Sequence, residues 1–353
     1  MSQIKILAII GARPQFIKHF PFEKACEGKL DLKTIHTGQH FDENMSKVFF
    51  DQLGMKQPDY MLANGGGHHG FQTGKMMMDI EGIVNDEKPD VVLVYGDTNS
   101  TLAGALVAAK MNIPVAHIEA GLRSYNREMP EEINRVLTDH ISTWLFTPGD
   151  QAVGNLEKEG ITKGVYLIGD VMKDMVEFVQ QNALFIKPAV EERYVYVTLH
   201  RPYNVDQNER LLTLLQSLNS LSQKIVFSIH PRTRSNAAKF GISLADFSNI
   251  LFIDPQPYFE NLGYIYYADA LITDSGGMQK EAYWLKKKCI TIRKETEWIE
   301  TLNGGGNVLV FEDLGAMQHI LQSESVQWKD HLYGTGNACG QIVDILLQPY
   351  NRY

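Results

Sequence analysis

VVLVYGDTNS, residues 91–100, is typical of a buried parallel strand that ends in a polar turn, and VAHIEAGLR, residues 115–123, repeats the pattern. Each run places one carboxylate directly after its strand, Asp97 in the first and Glu119 in the second. In open α/β sheets, ligands bind beyond the carboxyl ends of the strands. We therefore expect Asp97 and Glu119 to share one cleft, where their pKa values can be pushed apart to serve as acid and base.

Outward from these runs, strand-like and helix-like segments alternate in two series. The strands of the first series extend from Ile4–Ile10 to Val165–Ile168, and those of the second from Tyr194–Thr198 to Val308–Val310. Such alternation predicts parallel sheets covered by helices on both faces. The expected fold is α/β, with two doubly wound Rossmann-like domains facing across a cleft. We place the first domain at 1–169, the second at 170–338, and a C-terminal helix that could pack back on the first domain at 339–353.

Length and composition agree with a globular protein of this kind. The 353 residues exceed the size at which one hydrophobic core stops growing. A net charge of −9 without a long basic run argues against a nucleic-acid-binding surface. Three widely spaced cysteines offer no metal-ligand spacing and fit a reducing compartment. With no signal-peptide pattern and no apolar run long enough for a bilayer, we expect a cytoplasmic protein without a metal or membrane association.

Two turns have the features of phosphate-binding sites. GARPQFIK, residues 11–18, leads from the first strand into a helix beside Arg13 and Lys18, an arrangement that suits a diphosphate. DSGGMQKEA, residues 274–282, opens a helix after a strand of the second series, and its glycines let a phosphate approach the backbone. Glu281 is placed to accept both hydroxyls of a ribose. The alternatives are a plain strand–helix turn at 11–18 and charge compensation of the helix by Glu281.

Two histidines directly follow strands of the second series, His200 in HRPYN and His230 in HPRTR. Both positions face the expected cleft, and each has an arginine close by. A single histidine is more often structural than functional, so both interpretations stay open at this point.

Five motifs, in one order over nearly the whole chain, resemble those of the non-hydrolysing UDP-N-acetylglucosamine 2-epimerases: GDT at 96–98, HIEAGLR at 117–123, PEEINR at 130–135, HR at 200–201 and DSGGMQKEA at 274–282. The resemblance implies a fold like that of the GT-B glycosyltransferases, with a UDP-sugar between the domains, no cofactor, and a homodimer. It implies a catalytic set of Asp97, Glu119, Glu131 and His200. The implied substrate-binding residues are Arg13, Lys18, Arg123, Arg135, His230, Arg232, Ser275, Gly276, Gly277 and Glu281.

Within that family, the chain is more similar to enzymes that act on UDP-2,3-diacetamido-2,3-dideoxy-glucuronate. It has TEWIE at 296–300 and HRPYN at 200–204, where the N-acetylglucosamine enzymes usually carry TERPE and a His-Arg motif ending in Glu-Asn. The Arg-rich turn at 232–234 could bind the uronate carboxylate bidentately. The implied product is the manno epimer, for surface polysaccharide synthesis.

The chemistry implied by the resemblance is elimination of UDP from C1 with loss of the C2 proton, followed by re-addition and protonation on the opposite face. It calls for a carboxylate base, a separate acid and a cationic site for the departing diphosphate. The alternatives are a UDP-N-acetylglucosamine 2-epimerase, non-hydrolysing or hydrolysing, a retaining glycosyltransferase, and a non-catalytic nucleotide-sugar-binding protein.

Overall fold

The structure, a computed structural model, describes residues 3–39, 54–323 and 325–349. The chain divides into two compact units: unit 1 is Met1–Phe178 with Tyr333–Tyr353, and unit 2 is Val179–Leu332. Among the described helices, none has both the length and the apolar character that a bilayer span demands.

Unit 1 is a parallel sheet with helices between its strands. In its described residues, seven strands pair in the order β3-β2-β1-β4-β5-β6-β7. The order reverses between β1 and β4, which is where open α/β sheets bind ligands. The elements are β1 (Lys5–Ile10), α1 (Arg13–Cys26), β2 (Asp31–His36), β3 (Tyr60–Met61), α2 (His69–Glu87), β4 (Val91–Tyr95), α3 (Asn99–Lys110), β5 (Val115–Ile118), α4 (Pro130–Ile141), β6 (Trp144–Thr147), α5 (Asp150–Lys158), β7 (Val165–Leu167) and α6 (Val171–Gln181).

Unit 2 repeats this architecture. Its described residues form a six-stranded parallel sheet in the order β10-β9-β8-β11-β12-β13, with the reversal between β8 and β11. The elements are β8 (Tyr194–Thr198), α7 (Pro202–Val205), α8 (Asn208–Asn219), β9 (Lys224–Ser228), α9 (Pro231–Lys239), a 3-10 turn (Leu244–Asp246), β10 (Ile250–Ile253), α10 (Tyr258–Tyr267), β11 (Ala270–Thr273), α11 (Gly276–Trp284), β12 (Lys288–Thr291), a second 3-10 segment (Ile299–Gly305), β13 (Asn307–Leu309) and α12 (Ala316–Gln322). The chain then returns to unit 1 as α13 (Ala338–Leu346).

Apolar, largely β-branched strands form the core of each unit. All five residues of β4 are buried, as are all four of β11. Each fully buried Val, Leu or Ile side chain stabilises the fold by roughly 1.5–3 kcal/mol. The strands are short and parallel, so the polar residues that follow them lie together at the carboxyl edge of each sheet.

The division of the chain differs from the predicted boundaries at 169/170 and 338/339. The start of α6 belongs to unit 1, because the backbone N–H of Asp170 donates to the carbonyl of Tyr333 at 2.9 Å. The Asp174 carboxylate accepts from the backbone N–H groups of Ala338 and Cys339, at 2.9 and 2.7 Å, and so caps α13. The helix α13 packs on α1 within unit 1. These bonds join segments more than 160 residues apart, which no local sequence signal encodes.

Candidate active site

Asp97 and Glu119 lie in the turns after two paired neighbouring strands, β4 and β5. Directly before Asp97 stands Gly96, with a φ of +60°. A Cβ at this position would come within 3.2 Å of the Glu119 Oε2 and 3.6 Å of the Lys18 Nζ. Glycine therefore lets the side chains of Glu119 and Lys18 lie directly against the turn that carries Asp97.

Glu119 forms an ion pair with Lys18 from α1, and each side chain is only 12% exposed. Burial by itself lowers the pKa of Lys18, but the charge and hydrogen bond of Glu119 outweigh it and raise that pKa. Glu119 also has a φ of +70°, in the left-handed region that glutamate rarely adopts. Such strain persists only where the surrounding structure fixes it, and it is common at functional sites.

Asp97 forms an ion pair with Arg135 of α4, which also contacts Glu132 at 3.2 Å. Burial raises the pKa of Asp97 above its ordinary value; Arg135 opposes the shift and the charge of Glu119 adds to it. Burial and the charge of Glu119 thus favour the neutral form of Asp97, whereas Arg135 favours the ionised form. The two carboxylates and their two cations form what we call the carboxylate cluster: Lys18, Asp97, Glu119 and Arg135.

Glu131, predicted to be catalytic, is exposed in the first turn of α4. Its neighbour Glu132 is 2% exposed. The Glu132 carboxylate accepts from the backbone N–H groups of Ser124 and Tyr125, both at 2.9 Å, and so holds the loop after β5. The structure thus joins Glu132, and not Glu131, to Arg135, while a catalytic role for Glu131 stays a prediction.

Arg123, predicted to bind substrate, is engaged inside the protein. Its guanidinium donates to both carboxylate oxygens of Glu159 at 2.7 Å and to Asp139 at 2.7 Å. The residue is 5% exposed. Since its donors are used by these carboxylates, Arg123 acts in a structural ion network.

In unit 2, the carboxylate of Asp274 organises the loop after β8. It accepts from the backbone N–H of Arg201 at 2.9 Å and from the side chain of Asn204 at 3.0 Å, and it lies 3.0 Å from the Nδ1 of His200. Burial acts to raise the pKa of Asp274, but His200 and Asn204 outweigh it and lower the pKa. Sequence reasoning assigned no role to Asp274, although it stands in the DSGG motif.

The N-terminus of α11 has the features of an anion site. The Ser275 hydroxyl caps the helix by accepting from Met278 N–H at 3.5 Å. A Cβ on Gly276 would lie 2.8 Å from the Glu297 Oε1 and 3.7 Å from the Arg293 Nη1. Gly277 follows as an exposed residue. A helix N-terminus with an adjacent guanidinium favours an anion, and glycine allows it to approach the backbone.

Two guanidinium nitrogens in this part of unit 2, Arg201 Nε and Arg293 Nη1, are buried and have no hydrogen-bond partner among the described residues. Buried polar groups are normally paired with protein, water or ligand, so these two donors are open to an acceptor that is not part of the chain. Glu281 is 3% exposed on the same helix, α11.

His230 and Arg232 are exposed. His230 lies with its ring centroid 5.8 Å from that of His200, and its Nδ1 accepts from the backbone N–H of Arg232 at 3.2 Å. The Arg232 side chain is ion-paired with Asp206. Arg13 is the first residue of α1, and its side chain lies outside the described part of the structure.

The sequence profile of the UDP-N-acetylglucosamine 2-epimerase family matches residues 24–347. The chain belongs to this family. It is 45% identical to the UDP-2,3-diacetamido-2,3-dideoxy-D-glucuronate 2-epimerase of Pseudomonas aeruginosa, over 97% of this chain and 99% of that protein. It is 43% identical to the UDP-N-acetylglucosamine 2-epimerase of Methanocaldococcus jannaschii, over 99% of this chain and 100% of that protein.

Solved structures of the family agree with the fold. The crystal structure of the Methanocaldococcus jannaschii enzyme in complex with UDP-GlcNAc and UDP is similar, with a TM-score of 0.84 and 42% identity over 97% of this chain and 99% of that one. The UDP-GlcNAc-bound enzyme of Neisseria meningitidis has a TM-score of 0.83 at 28% identity, over 98% of this chain and all of that chain. The predicted GT-B-like α/β fold is confirmed.

Proposed function

We propose that this protein is a UDP-sugar 2-epimerase that inverts C2 of a UDP-2-acetamido sugar by elimination and re-addition of UDP. The observation that carries the proposal is the carboxylate cluster, with two acidic groups in adjacent turns and a cation on each. Membership of the epimerase family supports it. A nucleotide-sugar-binding protein would have no need of two partly buried carboxyl groups, each held by a cation.

The different surroundings of the two carboxylates suit opposite proton-transfer roles. In one half-reaction, Glu119 takes the C2 proton as the C1–O bond breaks, which leaves UDP and a glycal. In the other, Asp97, whose pKa burial raises, gives a proton to C2 from the opposite face as UDP returns. In the reverse direction the two roles exchange, because the same path is followed backwards. Glu131 and His200 remain proposed members of the catalytic set.

Unit 2 carries the groups we propose for UDP. The N-terminus of α11 and the unpaired nitrogens of Arg201 and Arg293 suit a diphosphate. The carboxylate of Glu281 suits the ribose hydroxyls. His230, Ser275, Gly276 and Gly277 stay in this proposed set.

For the sugar, we propose UDP-2,3-diacetamido-2,3-dideoxy-glucuronate, and UDP-N-acetylglucosamine as the second candidate. The identity to the Pseudomonas aeruginosa enzyme supports the first and the Methanocaldococcus jannaschii enzyme supports the second. Arg232, proposed as the carboxylate receptor, is in an exposed ion pair with Asp206. Exposed ion pairs contribute only about 0–1 kcal/mol, so a uronate can displace this one at low cost.

The test is incubation of the purified protein with a panel of UDP-sugars in D2O, followed by NMR. We expect the C2 epimer with deuterium at C2, because the carboxyl group that protonates C2 from the opposite face has already exchanged its own proton with the solvent. Faster turnover of UDP-N-acetylglucosamine than of the uronate would overturn the substrate assignment. Release of UDP and free sugar would identify a hydrolysing enzyme. An epimer without deuterium would exclude elimination.

We propose that the protein works in the cytoplasm as a homodimer. Its three cysteines are free and buried, which fits a reducing compartment. Apolar side chains remain exposed on two helices of unit 1: Phe71 and Met78 on α2, at 70% and 68%, and Ile133 and Leu137 on α4, at 47% and 45%. Large apolar side chains that are exposed on helices of the same unit are typical of a protein–protein interface.

We propose that a second copy of this chain covers these exposed apolar side chains, because the same surface carries both an acidic and a basic residue. Glu81 and Lys110 line one apolar hollow with Met77 and Met78. Across a two-fold axis, each charge can meet the opposite charge of the other copy. Light scattering should give twice the chain mass for the wild type and a smaller mass for Met78→Glu; an unchanged dimer in Met78→Glu would remove this surface, and a wild-type monomer would remove the dimer.

A further inference from the structure

Behind the turns that carry Asp97 and Glu119 lies a buried network centred on His117 and Asp139. The two side chains are 0% and 1% exposed. The His117 Nδ1 lies 2.7 Å from the Asp139 Oδ1, and its Nε2 lies 2.8 Å from the carbonyl oxygen of Gly96. Neither residue was predicted from the sequence to have a role in the site.

Both ring nitrogens of His117 therefore face acceptors. The Gly96 carbonyl has no hydrogen to give, so the Nε2 donates to it. Asp139 is an ionised acceptor as well: burial acts to raise its pKa, but His117 and Arg123 outweigh burial and lower that pKa. Its other oxygen, Oδ2, accepts from the N–H of Gly121 at 3.1 Å and from the Arg123 guanidinium at 2.7 Å. An imidazole that donates from both nitrogens carries a positive charge.

The network ties the two carboxylate-bearing turns to one helix. Through His117, Asp139 holds the carbonyl of Gly96, directly before Asp97. Through its other oxygen it holds Gly121, two residues after Glu119.

The helix that carries Asp139 also reaches the first turn directly. In α4, Arg135 pairs with the Asp97 side chain, and Asn134 donates to the Asp97 carbonyl at 2.9 Å. A single helix thus sets the separation of the two turns.

The charges around His117 alternate. Asp139 faces it from α4, and Arg123, from the loop after β5, faces Asp139 on the other side. Glu159, which follows α5, pairs with Arg123 and is the partly exposed end of the network. A positive His117 gives Asp139 a cation of its own. A neutral His117 would leave Asp139 to share Arg123 with Glu159, which also lies 4.0 Å from His140.

We propose that Asp139 and a positively charged His117 are positioning residues for the epimerase reaction. They hold the turns of Asp97 and Glu119 at the separation that proton transfer to and from the two faces of C2 requires. This inference rests on the proposed function of the carboxylate pair. Both side chains are enclosed, so they act through the turns and not by contact with the sugar.

The kinetic test uses His117→Gln and Asp139→Asn. Glutamine at position 117 cannot donate both to Asp139 and to the Gly96 carbonyl, as the imidazole does. Asparagine at position 139 replaces one acceptor oxygen by an NH2 donor, which then faces a donor of Arg123, Gly121 or His117. We expect kcat to fall about 100-fold, the typical cost of misplacing catalytic groups by about 1 Å, with KM and UDP affinity changed less than about threefold. His319→Gln and Asp86→Asn, both at exposed positions on helices, are the matched controls and should keep wild-type kcat.

A kcat within twofold of wild type in both folded variants would overturn the positioning role. A rise in KM at unchanged kcat would do so as well. If Asp139→Asn does not fold, His117→Gln carries the same test, because it leaves the bonds of Asp139 to Arg123 and Gly121 in place.

The charge of His117 is tested separately by nitrogen-15 NMR of histidine-labelled wild type at neutral pH, with His117→Gln to assign the signal. We expect a directly bonded hydrogen on both ring nitrogens; one nitrogen without hydrogen would overturn the positive charge. This measurement needs no substrate. If the wild type epimerises no UDP-sugar, the proposed function fails while the NMR result still decides the state of His117.

Discussion

At the scale of single residues, the site depends on two acidic side chains with unlike partners. Asp97 is paired with Arg135, and burial raises its pKa. Glu119 is paired with Lys18 and held in a left-handed backbone conformation. Their charges also interact, because Glu119 adds to the rise in the Asp97 pKa. Two carboxyl groups so close together and so differently paired are suited to exchange acid and base roles.

Replacing either carboxylate by its amide should stop proton transfer and leave the shape of the site intact. We expect Asp97→Asn and Glu119→Gln each to lose at least ~100-fold in kcat, the lower range for general acid–base catalysis. UDP affinity, measured by calorimetry, should stay near that of wild type. Glu157→Gln, at an exposed position on α5, is the control. Wild-type turnover in either amide variant would remove that residue from the mechanism.

Glu281 is the residue on which the ribose assignment depends. We expect Glu281→Ala to weaken UDP binding by roughly 1.5–3 kcal/mol, the usual contribution of hydrogen bonds to a charged group. Isothermal titration with UDP measures this directly. An unchanged affinity in the folded variant would contradict the assignment and leave Glu281 as a charge that compensates α11.

At the scale of elements, the position of Glu119 depends on how the loop after β5 packs on α5. Gly121 in that loop has a φ of +81°, and a Cβ there would overlap the carbonyl oxygen of Ala152 in α5. The backbone N–H of Gly121 also donates to Asp139 at 3.1 Å. Only glycine meets both demands, because any side chain would be strained in this conformation and would push the loop from the helix.

Gly121→Ala should therefore lower the free energy of unfolding of unit 1 by about 1–3 kcal/mol, from backbone strain together with overpacking. Urea unfolding followed by fluorescence measures the change. Gly154→Ala in α5 is a matched control of opposite sign, since a Cβ there meets nothing within 4 Å and alanine favours a helix by roughly 0.5–1 kcal/mol. Equal stability of Gly121→Ala and wild type would show that the loop yields without strain.

At the scale of the whole molecule, each unit has its own parallel sheet and core, and the chain closes unit 1 by returning as α13 against α1. The same helix, α1, carries His19, which is 1% exposed. The His19 ring nitrogens lie 2.8 Å from the Tyr95 hydroxyl and 3.0 Å from the Thr34 hydroxyl. Burial lowers the pKa of His19 to about 4, so it is neutral in the folded protein at neutral pH.

The stability of unit 1 should fall as the pH drops from about 6.5 toward 4. In this window the unfolded chain takes up a proton on His19, with an ordinary pKa near 6.5, while the folded chain does not, so acid favours unfolding. The effect amounts to about 3 kcal/mol for this residue, from 1.36 kcal/mol per pKa unit. Urea midpoints between pH 7 and pH 4.5 measure it. His19→Gln should make the dependence less steep without abolishing it, because burial also lowers the pKa of His36 in the same unit to about 4. An equally steep curve in that variant would assign the proton uptake to other groups.

The sequence by itself determined the elements and the polar turns after them. Strands such as β4 and β8 are short β-branched runs, and their burial follows from composition alone. The places of Asp97 and Glu119 after their strands, and of Glu281 on its helix, follow from motif position, while their roles stay predictions. The strand β3, Tyr60–Met61, was missed because two residues carry no periodicity.

Only the tertiary structure decided which polar groups are paired with which. The sequence predicted that Arg123 binds the substrate, whereas in the folded chain its guanidinium is ion-paired with Asp139 and Glu159. The sequence also did not show that Glu132 is buried and Glu131 exposed. The two residues are neighbours in α4, and their environments differ only because the loop after β5 packs against Glu132. The bond of His117 to Asp139 and the bonds that move the unit boundary beyond residue 169 join positions from 22 to more than 160 residues apart. Local hydrophobic patterns determine strands and helices, but the partner of a buried charge depends on the assembled sheet.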